Sequence, residues 1–134
     1  MTKERLRAYR DLRQERDKLK KLLEELDANL YGPSTPNLDG MPRSHGGGSA
    51  VENMVAQKDQ IERKYKAKVA ELTAELEAIE NSIEGLEPRE RTLIRLYYIE
   101  GLTWEQVCVE MSYSWMQIHR IRGKALERLR ELTE

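Results

Sequence analysis

Residues that interrupt regular secondary structure are concentrated in one internal segment of this chain. Residues 32–49 hold three of the four prolines and five of the eight glycines, whereas residues 2–31 contain neither type. No regular element persists through such a stretch, so we predict a long loop there. Gly85 and Pro88 mark a second, shorter break. The breaks define four parts: an amphipathic helix at 1–31, a Gly/Pro-rich loop at 32–49, a long coiled-coil-like helix at 50–85 and a C-terminal domain at 86–134.

Apolar residues recur every three, four or seven positions on both sides of the loop, which is typical of amphipathic helices. The first helix has them at Tyr9, Leu12, Leu19, Leu23, Leu26 and Leu30. The second has them at Val51, Val55, Tyr65, Val69, Leu72, Leu76, Ile79, Ile83 and Leu86, with Lys58 and Glu62 as polar interruptions of the stripe. Ser49 and Glu52 have the spacing of a capping box at the start of this second helix. Each stripe must be covered, either in an antiparallel hairpin or across a dimer, and the periodicity does not distinguish the two.

Charge and composition narrow the classes of function. The formal net charge is −1, but residues 1–21 carry nine basic and four acidic side chains, which suits an anionic partner. The single cysteine, Cys108, excludes an internal disulfide and fits a reducing compartment. No run approaches the ~18 apolar residues of a membrane span, and the N-terminus lacks a secretory signal. We therefore expect a cytoplasmic protein.

Capping signals divide residues 86–134 into three helices. Pro88 suits the first turn of a helix that ends at Gly101. Thr103 with Gln106, and Ser114 with Gln117, have the spacing of capping boxes at the starts of two further helices. The predicted buried residues are Leu93, Leu96 and Tyr97 (with Ile94 or Ile99), then Val107, Cys108 and Met111, and finally Ile118, Ile121, Ala125 and Leu129. Two capped helices only a few residues apart predict a helix-turn-helix.

The last helix has the charge of a DNA-recognition helix. Residues 114–132 carry five basic and two acidic side chains, and the second helix of such a motif enters the major groove. The candidate DNA-binding residues are Trp115, Met116, Gln117, His119, Arg120, Arg122, Gly123 and Lys124. Arg120 is the candidate for reading a guanine, since its guanidinium donates two bonds to the base edge. His119, Arg122 and Lys124 are candidates for phosphate contacts.

Gly123 is unusual within a helix, where glycine costs ~1 kcal/mol relative to alanine. Either the DNA backbone approaches closely at this position or a short helix tolerates the glycine.

The residues indicate no catalytic, metal or cofactor site. No Ser/His/Asp, Cys/His or clustered carboxylate arrangement is present, so we do not expect an enzyme. His45 has no second His or Cys nearby, which argues against a metal site in the loop. Trp104 and Cys108 are predicted to pack in the core.

The capped C-terminal segments resemble a known family. Residues 86–91, 101–107 and 118–129 are similar to region 4 of bacterial sigma-70 factors, the part that recognises the upstream promoter element. A helical stalk ahead of such a domain, with Tyr113-Ser114 before the recognition helix, resembles small phage transcriptional regulators of the RinA and ArpU kind. The resemblance implies a regulator encoded by a phage or prophage, acting on late or packaging genes in a bacterial host cell.

The chain departs from sigma factors at the first two positions of the recognition helix. Trp115 and Met116 stand where polar or charged residues are usual. They would contact thymine methyl groups, pack on a neighbouring protein, or indicate that base reading has been lost.

Together, these patterns predict an all-α protein: a long helical hairpin or coiled-coil stalk followed by a C-terminal three-helix helix-turn-helix domain. The domain is expected to bind double-stranded DNA, and the long helices to form a homodimer, because one such unit makes few specific contacts. The alternative is an adaptor that binds bacterial RNA polymerase or another factor without direct base reading.

Overall fold

The structure, a computed structural model, describes residues 1–31 and 47–132. Its helices are α1 (Lys3–Tyr31), α2 (Gly47–Ile83), α3 (Pro88–Ile94), α4 (Trp104–Met111) and α5 (Trp115–Leu132). A π-helical turn at Arg95–Ile99 continues α3. The described part of the chain contains no strand, so the predicted all-α fold, with long helices ahead of a C-terminal helix-turn-helix, is confirmed.

The helices form two compact units. The helix-turn-helix unit comprises Met1–Arg13 and Glu71–Glu134, and the hairpin unit comprises Gln14–Ala70. The first unit therefore includes the start of α1 and the end of α2, both of which lie outside the sequence-based boundary at residue 86. Burial explains the difference, because Leu6 and Ile79 have no exposed surface and share one core cluster with Ile118.

Within the hairpin unit, the two long helices run antiparallel. Lys58 Nζ lies 2.6 Å from Asp27 Oδ1, and Lys68 Nζ lies 2.9 Å from Glu15 Oε2. Late positions of α1 therefore pair with early positions of α2. Ion pairs at a protein surface contribute little to stability, so these pairs report the pairing of the helices more than they stabilise it. Of the two arrangements left open by the sequence, the structure has the hairpin.

The buried face of α2 differs from the predicted stripe. Val51, Val55 and Val69 are exposed by 50%, 48% and 36%. Ile61 is buried and Met54 half-buried in their place. Lys58, predicted as a polar interruption of the stripe, is half-buried, and so is Lys68; their ammonium groups reach carboxylates of α1. Long lysine stems can cover apolar surface in this way.

The start of α2 also lies earlier than predicted. Residues 47–49 are helical, so the predicted loop at 32–49 is wrong for its last three residues. Ser49 is not the N-cap, because an N-cap residue has a non-helical backbone. Adding a turn to an existing helix is far less costly than nucleating one. Residues 32–46, with His45, lie outside the described residues.

The π-helical turn decides which tyrosine enters the core of the helix-turn-helix unit. Its wider ring inserts one extra residue, and the Glu100 amide donates to the Arg95 carbonyl at 2.8 Å. Tyr98 is completely buried as a result, whereas Tyr97, predicted to face inward, is half-buried. Burial raises the pKa of the Tyr98 hydroxyl. Gly101 ends this segment as predicted, with a left-handed φ of 77°.

Candidate nucleic-acid interface

Of the three predicted capping boxes, the two in the C-terminal domain are present, at the starts of α4 and α5. The Thr103 amide donates to Gln106 Oε1 at 2.9 Å, and the Gln106 amide donates to Thr103 Oγ1 at 3.2 Å. Ser114 and Gln117 repeat the pair at 2.9 and 3.2 Å. The boxes satisfy free amides in the first turns and fix the residues at which α4 and α5 begin.

The turn between α4 and α5 is a Schellman motif. Ser112 has a left-handed φ of 56°, the single non-glycine residue with positive φ in the described part of the chain. Its amide donates to the Val109 carbonyl at 3.2 Å, and the Tyr113 amide donates to the Cys108 carbonyl at 3.1 Å. These bonds satisfy the last carbonyls of α4 and reverse the chain directly into the cap of α5.

The inner stripe of α5 is buried as predicted and determines what faces outward. Its buried residues are Ile118, Ile121, Ala125 and Leu129. At about 100° per residue, Met116, Arg120 and Gly123 lie on the opposite side. Met116 is 70% exposed, Arg120 and Gly123 are exposed, and a Cβ built at Gly123 meets no atom within 4 Å.

Three cationic residues converge beside this outward face. Arg89 of α3, together with Arg120 and Lys124 of α5, lines a surface pocket of about 200 Å³. Arg89 Nε lies 3.6 Å from Glu87 Oε2, a longer contact than the 3.1 Å between Arg128 and the buried Glu90. The cationic cluster is complementary to phosphate oxygens, which accept charge-assisted hydrogen bonds. Arg89 is not among the DNA-binding residues predicted from the sequence, all of which lie on α5. The sequence feature that could have identified Arg89 is its position directly after Pro88, which starts α3.

Other predicted contact residues of α5 pack against aromatic rings. His119 is half-buried, with its ring centroid 4.4 Å from that of Trp115 and 5.6 Å from that of Trp104. The half-buried Arg122 guanidinium lies 5.2 Å from the centroid of the Trp104 ring. Helix geometry explains this, because Arg122 lies next to the buried stripe and not opposite it. His119, predicted to point outward, is therefore only partly exposed, and the phosphate contacts predicted for His119 and Arg122 stay predictions.

The other candidate residues at the start of α5, Trp115 and Gln117, are exposed but make contacts within the fold. Trp115 is 51% exposed, and its ring packs partly on His119. The exposed Gln117 side chain is engaged by the cap of α5 through its Oε1. Cys108 is half-buried, not fully buried, and Trp104 is half-buried against the core.

The start of α1 holds the π-helical turn in place. The Arg10 guanidinium lies 4.4 Å from the Tyr97 ring centroid, and its Nε donates to the Tyr97 carbonyl at 3.3 Å. Arg13 donates to the Glu100 carbonyl. These contacts satisfy backbone carbonyls at the end of the turn, immediately before the cap of α4.

A buried carboxylate removes one arginine of α5 from the outward set. Glu90 is 2% exposed, and its Oε1 lies 3.1 Å from an Arg128 nitrogen. Arg128 also lies 3.3 Å from Glu87 Oε1. Burial raises the pKa of Glu90, while Arg128 acts in the opposite direction. Arg128 therefore neutralises acidic groups of the fold itself.

Residues 1–31 and 47–132 contain no group of three or more His, Cys, Asp or Glu residues suited to a metal ion. Within the same ranges, every helix is too short or too polar to cross a bilayer.

The α4–turn–α5 arrangement, supported by α3, is a helix-turn-helix. Residues 82–131 match the family model described as Sigma-70, region 4, a DNA-binding helix-turn-helix domain. The match covers less than half of the chain, and it supports a sigma region 4-like domain, as the sequence motifs suggested. Comparisons with curated proteins and with solved structures gave no match.

Proposed function

We propose that this protein is a transcriptional regulator of a phage or prophage, of the RinA and ArpU kind, whose α5 lies in the major groove of duplex DNA. It acts by binding, without catalysis, in the cytoplasm of the bacterial host cell. The observation that carries the proposal is the cluster of Arg89, Arg120 and Lys124 beside the exposed face of a capped helix.

The three cations have different tasks in this proposal. Arg120 is exposed one turn into α5, where the side chains of a recognition helix reach base edges, and its guanidinium suits the two acceptors of guanine. Arg89 and Lys124 flank it and bind phosphates, which contribute affinity and orientation without sequence information.

The test begins with selection of bound duplexes from a random pool. Arg120→Ala is then compared with the original protein on the preferred duplex and on a random duplex. We expect a loss of ~1–3 kcal/mol on the preferred duplex and a smaller loss on the random one. Arg63→Ala, which removes a surface arginine of α2, is the control and should change neither. An equal loss on every sequence would make Arg120 a phosphate contact instead.

We further propose a homodimer formed through the long helices, which would place two helix-turn-helix units on a paired DNA site. Leu22, Val51 and Val55 of the hairpin unit are exposed by 44%, 50% and 48%, and a second copy would cover them. Light scattering tests this directly. A dimer that Val55→Lys converts to monomer supports the proposal, whereas a monomer at tens of micromolar removes it.

The second candidate function is that of an adaptor that contacts RNA polymerase or another protein. One observation favours it: Val109 of α4 is 78% exposed and lies beside Glu105 and Glu110 in a surface pocket of about 290 Å³. Two results together would support this function over DNA binding. Purified host polymerase would be retained by the original protein and by Arg120→Ala but not by Val109→Glu, and random duplex would give no gel shift at low salt.

A further inference from the structure

Met116 occupies the most outward position of the first turn of α5. It lies opposite the buried Ile118 and Ala125 and is 70% exposed. An unbranched apolar side chain gains nothing from exposure to water, so the fold itself gives no reason for methionine here. Trp115 differs, because its ring packs on His119 at 4.4 Å and is only half exposed.

The surroundings of Met116 indicate the chemistry of what covers it. Arg120 lies one turn further along the same face of α5 and is itself part of the Arg89 and Lys124 cluster. A partner that fits this face must present negative charge beside an apolar group. Duplex DNA meets both requirements in the major groove, where phosphates border the groove and thymine contributes a methyl group to its floor.

We infer that Met116 reads the 5-methyl group of a thymine, next to the base contacted by Arg120. This inference rests on the proposed function and deepens it, since it assigns a base to a residue that departs from the usual polar character of this position. The spacing of one helical turn between the two side chains places the thymine and the guanine within the same few base pairs.

The experiment uses the tightest-binding duplex selected from a random pool, with each thymine in turn replaced by uracil. This exchange removes one methyl group and leaves every hydrogen-bonding group in place. At one position we expect affinity to fall about fourfold, the effect of uncovering a single methyl group. Met116→Ala and the polar Met116→Gln should bind the thymine and uracil duplexes equally, whereas Met116→Leu should keep the preference.

Val69→Ala is the matched control, because it truncates an exposed apolar residue outside α5, and it should keep the full sensitivity to uracil. Circular dichroism confirms that each variant is folded, which the exposure of Met116 leads us to expect. Sequence-specific binding that is indifferent to every exchange of thymine for uracil overturns the inference and leaves the proposed function standing. A preference for thymine that persists in Met116→Ala assigns the methyl contact to another residue. Failure to bind any duplex overturns both proposals.

Discussion

The indole of Trp104 lies flat on the phenol ring of Tyr97, with ring centroids 3.7 Å apart and planes inclined by 11°. The stack joins the π-helical turn to α4, and Arg10 covers the Tyr97 ring at 4.4 Å. Tyr97→Leu keeps an apolar side chain but loses the ring stacking and the cation–π contact. We expect a fall of about 1–2 kcal/mol in the free energy of unfolding, measured in urea.

A double-mutant cycle separates this stacking from simple loss of volume. Tyr97→Leu and Trp104→Leu, singly and together, should give a coupling energy of about 0.5–1.5 kcal/mol. Strictly additive losses would show that the two rings stabilise the fold independently.

Gly101 is required by its backbone conformation. Its φ of 77° is strained for any residue with a Cβ, and a Cβ there would also displace the end of the flexible Arg13 side chain, which donates to Glu100. We expect Gly101→Ala to lower the free energy of unfolding by at least about 1 kcal/mol. Thermal unfolding measures this, and an unchanged midpoint would contradict the role assigned to the left-handed turn.

Gly123, unlike Gly101, can be replaced by alanine without strain in the folded protein. Open space surrounds its position in the middle of α5, so Gly123→Ala should raise the free energy of unfolding by about 1 kcal/mol. If the glycine is present because a DNA backbone approaches closely, the same substitution weakens DNA binding. Urea unfolding and gel shifts on one preparation test the two effects separately. A more stable variant with unchanged affinity would mean that the helix merely tolerates glycine.

Glu90 predicts a dependence of stability on pH. Burial raises the pKa of this carboxyl above its ordinary value of 4.5, so the folded state binds a proton more readily than the unfolded chain. The contribution of Glu90 to stability is therefore fully present below pH 4.5 and is lost as the pH rises through the folded-state pKa. Glu90→Gln removes this titration. We expect the stability of the unsubstituted protein, measured relative to Glu90→Gln, to fall as the pH rises above 4.5. A difference that is constant or increases with pH would contradict the assignment.

The sequence predicted best where local hydrogen-bonding chemistry decides the structure. Thr103 and Ser114, each followed three residues later by glutamine, specify helix starts through side-chain bonds that involve no distant residue. The stripe of α5 was predictable for the same reason, because four apolar residues at helical spacing leave one way to bury them.

The sequence predicted least where packing between distant segments decides the structure. The π-helical turn that buries Tyr98 in place of Tyr97 arises in a segment held by Arg10 and Arg13, more than eighty residues earlier. The buried side of α2 depends on how that helix meets α1, which its own apolar periodicity does not register: Ile61 is buried, whereas Val51 and Val55 are exposed. Arg89 joins Arg120 only through the crossing of α3 and α5, so the cationic cluster needed the fold to be recognised.

The central claim is that α5 and Arg89 present their cations to DNA phosphates. The salt dependence of DNA affinity tests this claim most directly. Each neutralised phosphate contributes about −0.9 to the slope of log affinity against log salt, so the two proposed phosphate contacts, Arg89 and Lys124, predict a slope of about −2 or steeper. Lys124→Ala should make the slope shallower by about 1. Affinity that is flat from low to moderate salt, or a slope unchanged in Lys124→Ala, would contradict the account.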